Sequence, residues 1–90
     1  MSKALEDYIE RVASCPCVLC LNRLGVKTFA CEVHHPTVPR NDWLIVSLCY
    51  EHHRGSAGVH GLHRRGFERL WKVTDYDLLG WQNEALCKFA

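Results

Sequence analysis

Two short pairs of cysteine and histidine residues constrain this chain more than any other feature of its sequence. One is the C-x-x-C turn CVLC, and the other is the C-x-x-H segment CYEH, which follows the apolar run WLIVSL. Together they supply the four ligands of a tetrahedral structural Zn²⁺, and two ligands on one turn add little loop-closure cost. The predicted zinc ligands are Cys17, Cys20, Cys49 and His52. Ordinary buried cysteines are the alternative interpretation, and Cys15 is a more poorly spaced substitute for Cys17.

The length of the chain makes such a cross-link valuable. A domain of 90 residues buries only about 60–65% of the surface that its unfolded chain exposes. A structural zinc ion contributes an apparent binding free energy of about 10–16 kcal/mol, which exceeds the stability expected for so small a domain. We therefore expect removal of the metal to unfold the protein.

Cysteine usage and the amino-terminal segment indicate the cellular compartment. The segment SKALEDYIERVAS is amphipathic and charged, unlike the apolar core of a signal peptide. No apolar run approaches membrane-spanning length. These features predict a soluble cytoplasmic protein whose six cysteines serve metal binding rather than disulfides. Cys31 and Cys87 have no partner at ligand spacing, and we expect both in the core.

Hydrophobic periodicity predicts one small α+β domain over residues 1–90, stapled by zinc and flanked by helices. It divides into an amino-terminal helix (1–14), the zinc-bound core (15–60) and carboxy-terminal helices (61–90). The predicted elements are a helix over residues 3–13 capped by Ser2, strands over 27–35 and 43–48, a helix that begins near Cys49 and ends within the glycines at 55, 58 and 61, a helix containing 67–71, and a helix after Thr74. The apolar stripe of the last helix comprises Leu78, Leu79, Trp81, Ala85, Leu86 and Phe89.

Five further histidines lie close to these elements: His34, His35, His53, His60 and His63. Adjacent helical residues point about 100° apart, so His53 should face away from His52 and toward the strand that ends in His34 and His35. Strict alternation along a strand sends His34 and His35 to opposite faces. Pro36 ends that strand, however, and could turn His35 back.

The order of these motifs resembles an HNH nuclease of the ββα-metal type. A C-x-x-C turn, HH at the end of one strand, a second strand ending in LC, and C-x-x-H-H at the start of a helix follow that pattern. More narrowly, the segments VHHP, SLCYEHHRG, GVHG and GFERLW resemble the Ref family of phage recombination-enhancement nucleases over about residues 15–73. The resemblance implies an HNH ββα-metal, treble-clef-like domain that hydrolyses phosphodiester bonds of DNA in a bacterial cytoplasm, with a RecA-type recombinase as partner.

The family pattern also implies roles for single residues. His34 falls at the metal-ligand position, His35 at the general base and His53 at the helical metal ligand, with His60 as a further ligand. We expect His35 to take a proton from the attacking water. The histidine ligands would hold a divalent cation for catalysis, Mg²⁺, Mn²⁺ or Zn²⁺, in addition to the structural Zn²⁺.

Two further predictions concern the hydrogen-bond partners of these histidines and the asparagine of the family pattern. Main-chain carbonyls of Glu32 or His35 are the expected partners that fix the histidine tautomers. Leu44 stands at the asparagine position of the family, and Asn41 and Asp42 lie nearby but shifted in sequence.

Positive charge is concentrated between Arg40 and Lys72, although the net charge is only +1. We expect Arg54, Arg64 and Arg65 to bind flanking phosphates without reading base identity; a solvated helix face is the alternative. His63 either joins them or caps a helix. A domain this small contacts little DNA alone, which favours a homodimer or a partner protein.

Two other classes of function fit parts of the sequence. A non-catalytic zinc module that binds DNA or protein needs only the zinc ligands and the arginines, and it leaves the other histidines unexplained. An interaction domain would present the apolar stripe of the last helix to a partner, although the same residues would equally cover the core. Cleavage of supercoiled plasmid with Mg²⁺ or Mn²⁺ separates an enzyme from either.

Overall fold

A computed structural model describes all 90 residues of the chain. The elements are α1 (Lys3–Ala13), a π-helical turn (Cys20–Leu24), β1 (Glu32–His34), β2 (Val46–Leu48), α2 (Tyr50–His53), α3 (Val59–Trp71) and α4 (Asp75–Phe89). β1 and β2 pair antiparallel, with Glu32 opposite Leu48 and His34 opposite Val46. α2 follows β2 directly, so the hairpin and this helix form a β–β–α unit. None of the helices combines the length and apolarity needed to cross a membrane.

The predicted starts of the two terminal helices are confirmed, because both caps are encoded locally. The Ser2 hydroxyl accepts a hydrogen bond from the Leu5 N–H at 3.1 Å, as an N-cap does. At α4, the Thr74 hydroxyl accepts from the Asp77 N–H at 3.2 Å, and the Asp77 carboxylate accepts from the Thr74 N–H at 2.9 Å. This reciprocal capping box satisfies two groups that the helix itself cannot.

The core lies between the cysteine turn, β2, α3 and α4. Its buried cluster comprises Cys15, Cys17, Val18, Leu19, Cys20, Val46, Leu48, Cys49, Phe67, Val73, Leu78 and Ala85. α4 also contributes Gln82, which is buried and accepts a hydrogen bond from the Ser47 N–H of β2 at 2.7 Å. Cys87 is exposed, so its predicted core position is wrong. It lies about 200° around the helix from buried Ala85, and Cys31 is half-buried.

Both strands are shorter than predicted, because turns capture the residues before them. The Thr28 carbonyl accepts from the Cys17 N–H at 2.8 Å, which ties this segment to the cysteine turn, and Ala30 has a positive φ of 61°. Before β2, the Asn41 side chain and carbonyl accept from the N–H groups of Trp43 and Leu44 at 2.8 and 3.0 Å. Such a turn competes with strand pairing.

The glycines after α2 do not simply end a helix. Gly58 is the N-cap of α3, and Gly61 lies within α3, so this helix begins earlier than predicted. A Cβ at Gly61 would overlap the carbonyl oxygen of Gly55, and one at Gly58 would crowd the backbone of α2. The glycines therefore allow α2 and the first turn of α3 to approach closely, which brings His60 beside His53.

Two candidate metal centres

The first centre is a buried group of three thiols and one imidazole. Cys17, Cys20, Cys49 and His52 place their ligand atoms within 4.8 Å of one another. The Sγ atoms of Cys20 and Cys49 are 3.8 Å apart, and His52 Nδ1 lies 3.4 Å from Cys20 Sγ and 3.2 Å from Cys49 Sγ. Ligands at tetrahedral angles around zinc stand about 3.5–3.8 Å apart. The donor set and its spacing therefore fit a structural Zn²⁺.

Local backbone geometry positions these ligands. Cys17 and Cys20 occupy one turn, in which the Cys20 N–H points to Cys17 Sγ at 3.4 Å. Cys49 is the N-cap of α2, and His52 lies within that helix, where its ring meets the Trp71 ring edge-on at 4.9 Å. Cys15 Sγ instead lies 3.4 Å from the Arg11 carbonyl, so Cys15 does not take the place of Cys17.

Burial controls the protonation of this group. It raises the pKa of the Cys17 and Cys49 thiols and lowers the pKa of His52. Without a cation the thiols of Cys17 and Cys49 are therefore protonated and neutral, and metal binding must displace their protons.

The second centre is a group of three imidazoles from three elements. His34 ends β1, His53 ends α2, and His60 lies in the first turn of α3; their ligand atoms also lie within 4.8 Å of one another. His53 Nε2 and His60 Nε2 are 3.2 Å apart. Imidazole nitrogens bound to one divalent cation stand about 3.0–3.4 Å apart. His34 is buried and His60 is exposed, so the group opens to solvent on one side.

Electrostatics favour neutral imidazole at this centre. Burial, followed by the neighbouring His53 and His60, lowers the pKa of His34 to about 4. Its ring is therefore neutral at physiological pH, and a nitrogen lone pair is available to a cation.

Glu32 fixes the tautomer of His53. The Glu32 carboxylate lies 2.8 Å from His53 Nδ1 and also pairs with the Arg54 guanidinium. These contacts lower the pKa of Glu32 to about 2, and the hydrogen bond from Arg54 has the larger effect. The ionised carboxylate accepts from His53 Nδ1–H and leaves Nε2 free to face His34 and His60. The predicted partners were the main-chain carbonyls of Glu32 or His35, whereas the Glu32 side chain makes this contact.

His35 lies beside the second centre. His34 and His35 both line a cavity of about 390 Å³, together with Val33, Arg40, His53 and His60. The strand ends at His34, so strict alternation no longer directs His35 to the opposite face. His35 Nε2 is 3.3 Å from Asp42 Oδ1, and Arg40 Nε donates to the same oxygen at 3.2 Å. Asp42 is thus the nearby polar residue that contacts His35, while Asn41 forms the turn before β2.

The three predicted phosphate-binding arginines and His63 belong to neither group of metal ligands. Arg54 pairs with Glu32, and Arg64 pairs with Asp75 at the start of α4. Arg65 lines a separate open cavity between α3 and α4. His63 is exposed and belongs to neither centre; it interrupts α3 with a φ of 62° and a ψ of 166°.

The structure therefore separates two adjacent histidines. His52 belongs to the cysteine group, and His53 belongs to the imidazole group. Comparisons with protein-family models, curated proteins and solved structures found no match.

Proposed function

We propose that this protein is a metal-dependent DNA endonuclease of the HNH type that hydrolyses phosphodiester bonds. The observation that carries the proposal is the division of His52 and His53 between two groups of ligands. A chain that needed only a stable fold would require the cysteine group alone. The second group is open to solvent and borders a cavity that is also lined by His35, an imidazole that belongs to neither group.

His35 is the proposed general base. Its Nε2 lies 3.3 Å from Asp42 Oδ1, and this carboxylate would keep the ring proton on Nε2 and leave Nδ1 to accept a proton from water. A divalent cation held by His34, His53 and His60 supplies, when bound, positive charge that stabilises the transferring phosphoryl group and the leaving oxygen. The cavity of about 390 Å³ has room for a phosphodiester and part of its flanking sugars.

Other parts of the chain would support binding. Arg54 and Arg64 flank the second centre and would contact neighbouring phosphates, and Arg65 would do so from the α3–α4 side. The motif resemblance adds a role in phage recombination inside a bacterial host, with a RecA-type recombinase or a second copy of the chain as partner. Single-stranded and double-stranded DNA are both substrates to be tested.

Supercoiled plasmid tests the proposal directly. We expect nicking in the presence of Mg²⁺ or Mn²⁺ and none when a chelator is added at the start. His35→Ala should abolish nicking yet retain the fold and both metal groups, because its side chain belongs to neither. His63→Ala is the matched control, since it removes the histidine that lies outside both groups and outside the cavity.

The outcomes separate the competing functions. Nicking by wild-type protein and by His63→Ala, but not by His35→Ala, supports the endonuclease. Undiminished nicking by His35→Ala removes the general-base assignment. A wild-type chain that binds metal and DNA but never nicks is a non-catalytic zinc module.

A further inference from the structure

Arg40 lines the cavity of the second centre. It is not one of the three arginines, Arg54, Arg64 and Arg65, that are predicted to bind phosphate. Arg40 lies in the loop between β1 and β2 and shares this cavity with His34, His35, His53 and His60. Its side chain is 70% exposed, so it reaches the cavity from the solvent side. An arginine at the open edge of a cavity lined by imidazoles is well placed to meet an anionic ligand.

Arg40 lines this cavity, whereas Arg54 and Arg64 do not. Arg54 commits both Nε and Nη2 to the Glu32 carboxylate, and Arg64 commits Nη2 to Asp75. Arg40 uses only Nε, which donates to Asp42 Oδ1 at 3.2 Å. Both Nη groups of Arg40 have no hydrogen-bond partner within the chain. This guanidinium is therefore anchored at one edge and free at the other.

Asp42 is not an obstacle to a bound anion. Its Oδ1 already accepts from Arg40 Nε, so the guanidinium compensates its charge, and the same oxygen lies 3.3 Å from His35 Nε2. The same oxygen holds the proposed base and the free arginine at a fixed separation on the cavity wall.

We infer that Arg40 binds the substrate phosphodiester, its Nη groups donating to the non-bridging oxygens while its Nε remains on Asp42; this inference rests on the proposed function. A guanidinium can make both sets of contacts at once because its donors lie in one plane on two edges. Lysine has a single ammonium group and cannot hold Asp42 and a phosphate in the same geometry. The phosphate would then lie between Arg40 and the imidazole group, beside His35.

The test measures DNA binding separately from cleavage. A short fluorescein-labelled duplex is titrated with protein in the His35→Ala background, and affinity is read from fluorescence anisotropy with the same divalent ion throughout. Arg40→Ala should weaken binding about ten- to a hundredfold, the loss expected for charge-assisted hydrogen bonds. Arg11→Ala removes the same charge from the exposed last turn of α1, outside both cavities, and should change affinity by about twofold or less.

Cleavage provides the second measurement. With His35 restored, Arg40→Ala should lower kcat/KM for plasmid by at least the same factor as it weakens binding, and Arg40→Lys should recover only a small part. Metal content must equal that of wild-type protein, which excludes an indirect effect on either centre.

The results distinguish this inference from the proposed function. Equal effects of Arg40→Ala and Arg11→Ala on binding and cleavage overturn the inference and leave the nuclease intact. Wild-type affinity in Arg40→Lys likewise overturns it, because a point charge would then suffice. A wild-type chain that binds the duplex without cleaving it overturns the proposed nuclease, while the anisotropy comparison still decides whether Arg40 holds phosphate.

Discussion

At the scale of single residues, the second centre relies twice on the same arrangement, a carboxylate behind an imidazole. Glu32 lies 2.8 Å from His53, and Asp42 lies 3.3 Å from His35. In each case the carboxylate can fix which ring nitrogen carries the proton. The ligand types and spacings could be read from the sequence, whereas these partners could not. The first contact depends on how β1 packs against α2, and the second on the shape of the loop between β1 and β2.

We expect Asp42 to act by positioning His35. Asp42→Ala should lower single-turnover cleavage at saturating protein by about ten- to a hundredfold, a part of what a general base supplies. Asp42→Asn should retain most of the rate, because its amide oxygen still accepts from His35 Nε2–H. Saturation removes any contribution of Arg40 to affinity. Equal rates for Asp42→Ala and wild-type protein would show that the contact has no role in catalysis.

Glu32 should govern the affinity of the second centre for its cation. Glu32→Ala removes the acceptor for His53 Nδ1–H, so we expect a loss of about ten- to a hundredfold in that affinity. The cysteine group does not contact Glu32 and should keep its metal. Calorimetric titration with Mn²⁺ measures the first effect, and elemental analysis after dialysis measures the second. Glu84→Ala, an exposed substitution on α4, is the control.

At the scale of elements, helices were predicted better than strands. α1 and α4 carry their caps in adjacent residues, so Ser2 and Thr74 marked their starts correctly. The strands could not be bounded from alternation alone. Thr28 is drawn to Cys17, and Asn41 holds Trp43 in a turn. The first of these contacts joins residues far apart in sequence, and periodicity carries no information about it.

The interruption in α3 was also not predicted. His63 adopts a φ of 62° and a ψ of 166°, a region that is populated almost only by glycine. The break separates the turn that carries His60 from the rest of α3, whose Phe67 and Trp71 pack against the core. Because of this break, the turn that carries His60 can point toward His53 while the rest of α3 keeps a different direction.

His63→Gly should therefore stabilise the protein. The strained backbone costs about 1–3 kcal/mol, and the extra freedom of glycine in the unfolded chain offsets about 0.5–1 kcal/mol. A net gain of about 1 kcal/mol would raise Tm by about 4–8 °C in calorimetry. Glu68→Gly, in the regular part of α3, should lower Tm instead. A fall in Tm for His63→Gly would mean that the histidine side chain stabilises the interruption.

At the scale of the whole molecule, the cysteine ligands of the first centre are themselves part of the hydrophobic core. Cys17, Cys20 and Cys49 belong to the same buried cluster as Phe67 and Leu78. The cysteine turn is enclosed by β2, α3 and α4, so its ligands are held by packing as well as by their own backbone. Loss of the metal would leave the protonated thiols of Cys17 and Cys49 in a core that is small because the chain is short.

Removal of the structural metal is therefore expected to unfold the entire chain rather than one loop. The apparent binding free energy of such a site, about 10–16 kcal/mol, equals or exceeds the roughly 5–13 kcal/mol expected for the whole stability of a domain of this length. Far-UV circular dichroism during titration with a zinc chelator should show one cooperative loss of helix, reversed when Zn²⁺ is added back. Cys49→Ser should be unfolded or metal-free from the start, whereas Cys87→Ser, at an exposed position, should behave as wild-type protein. A chelated chain that keeps its helical signal and a cooperative thermal transition would show that packing alone maintains the fold.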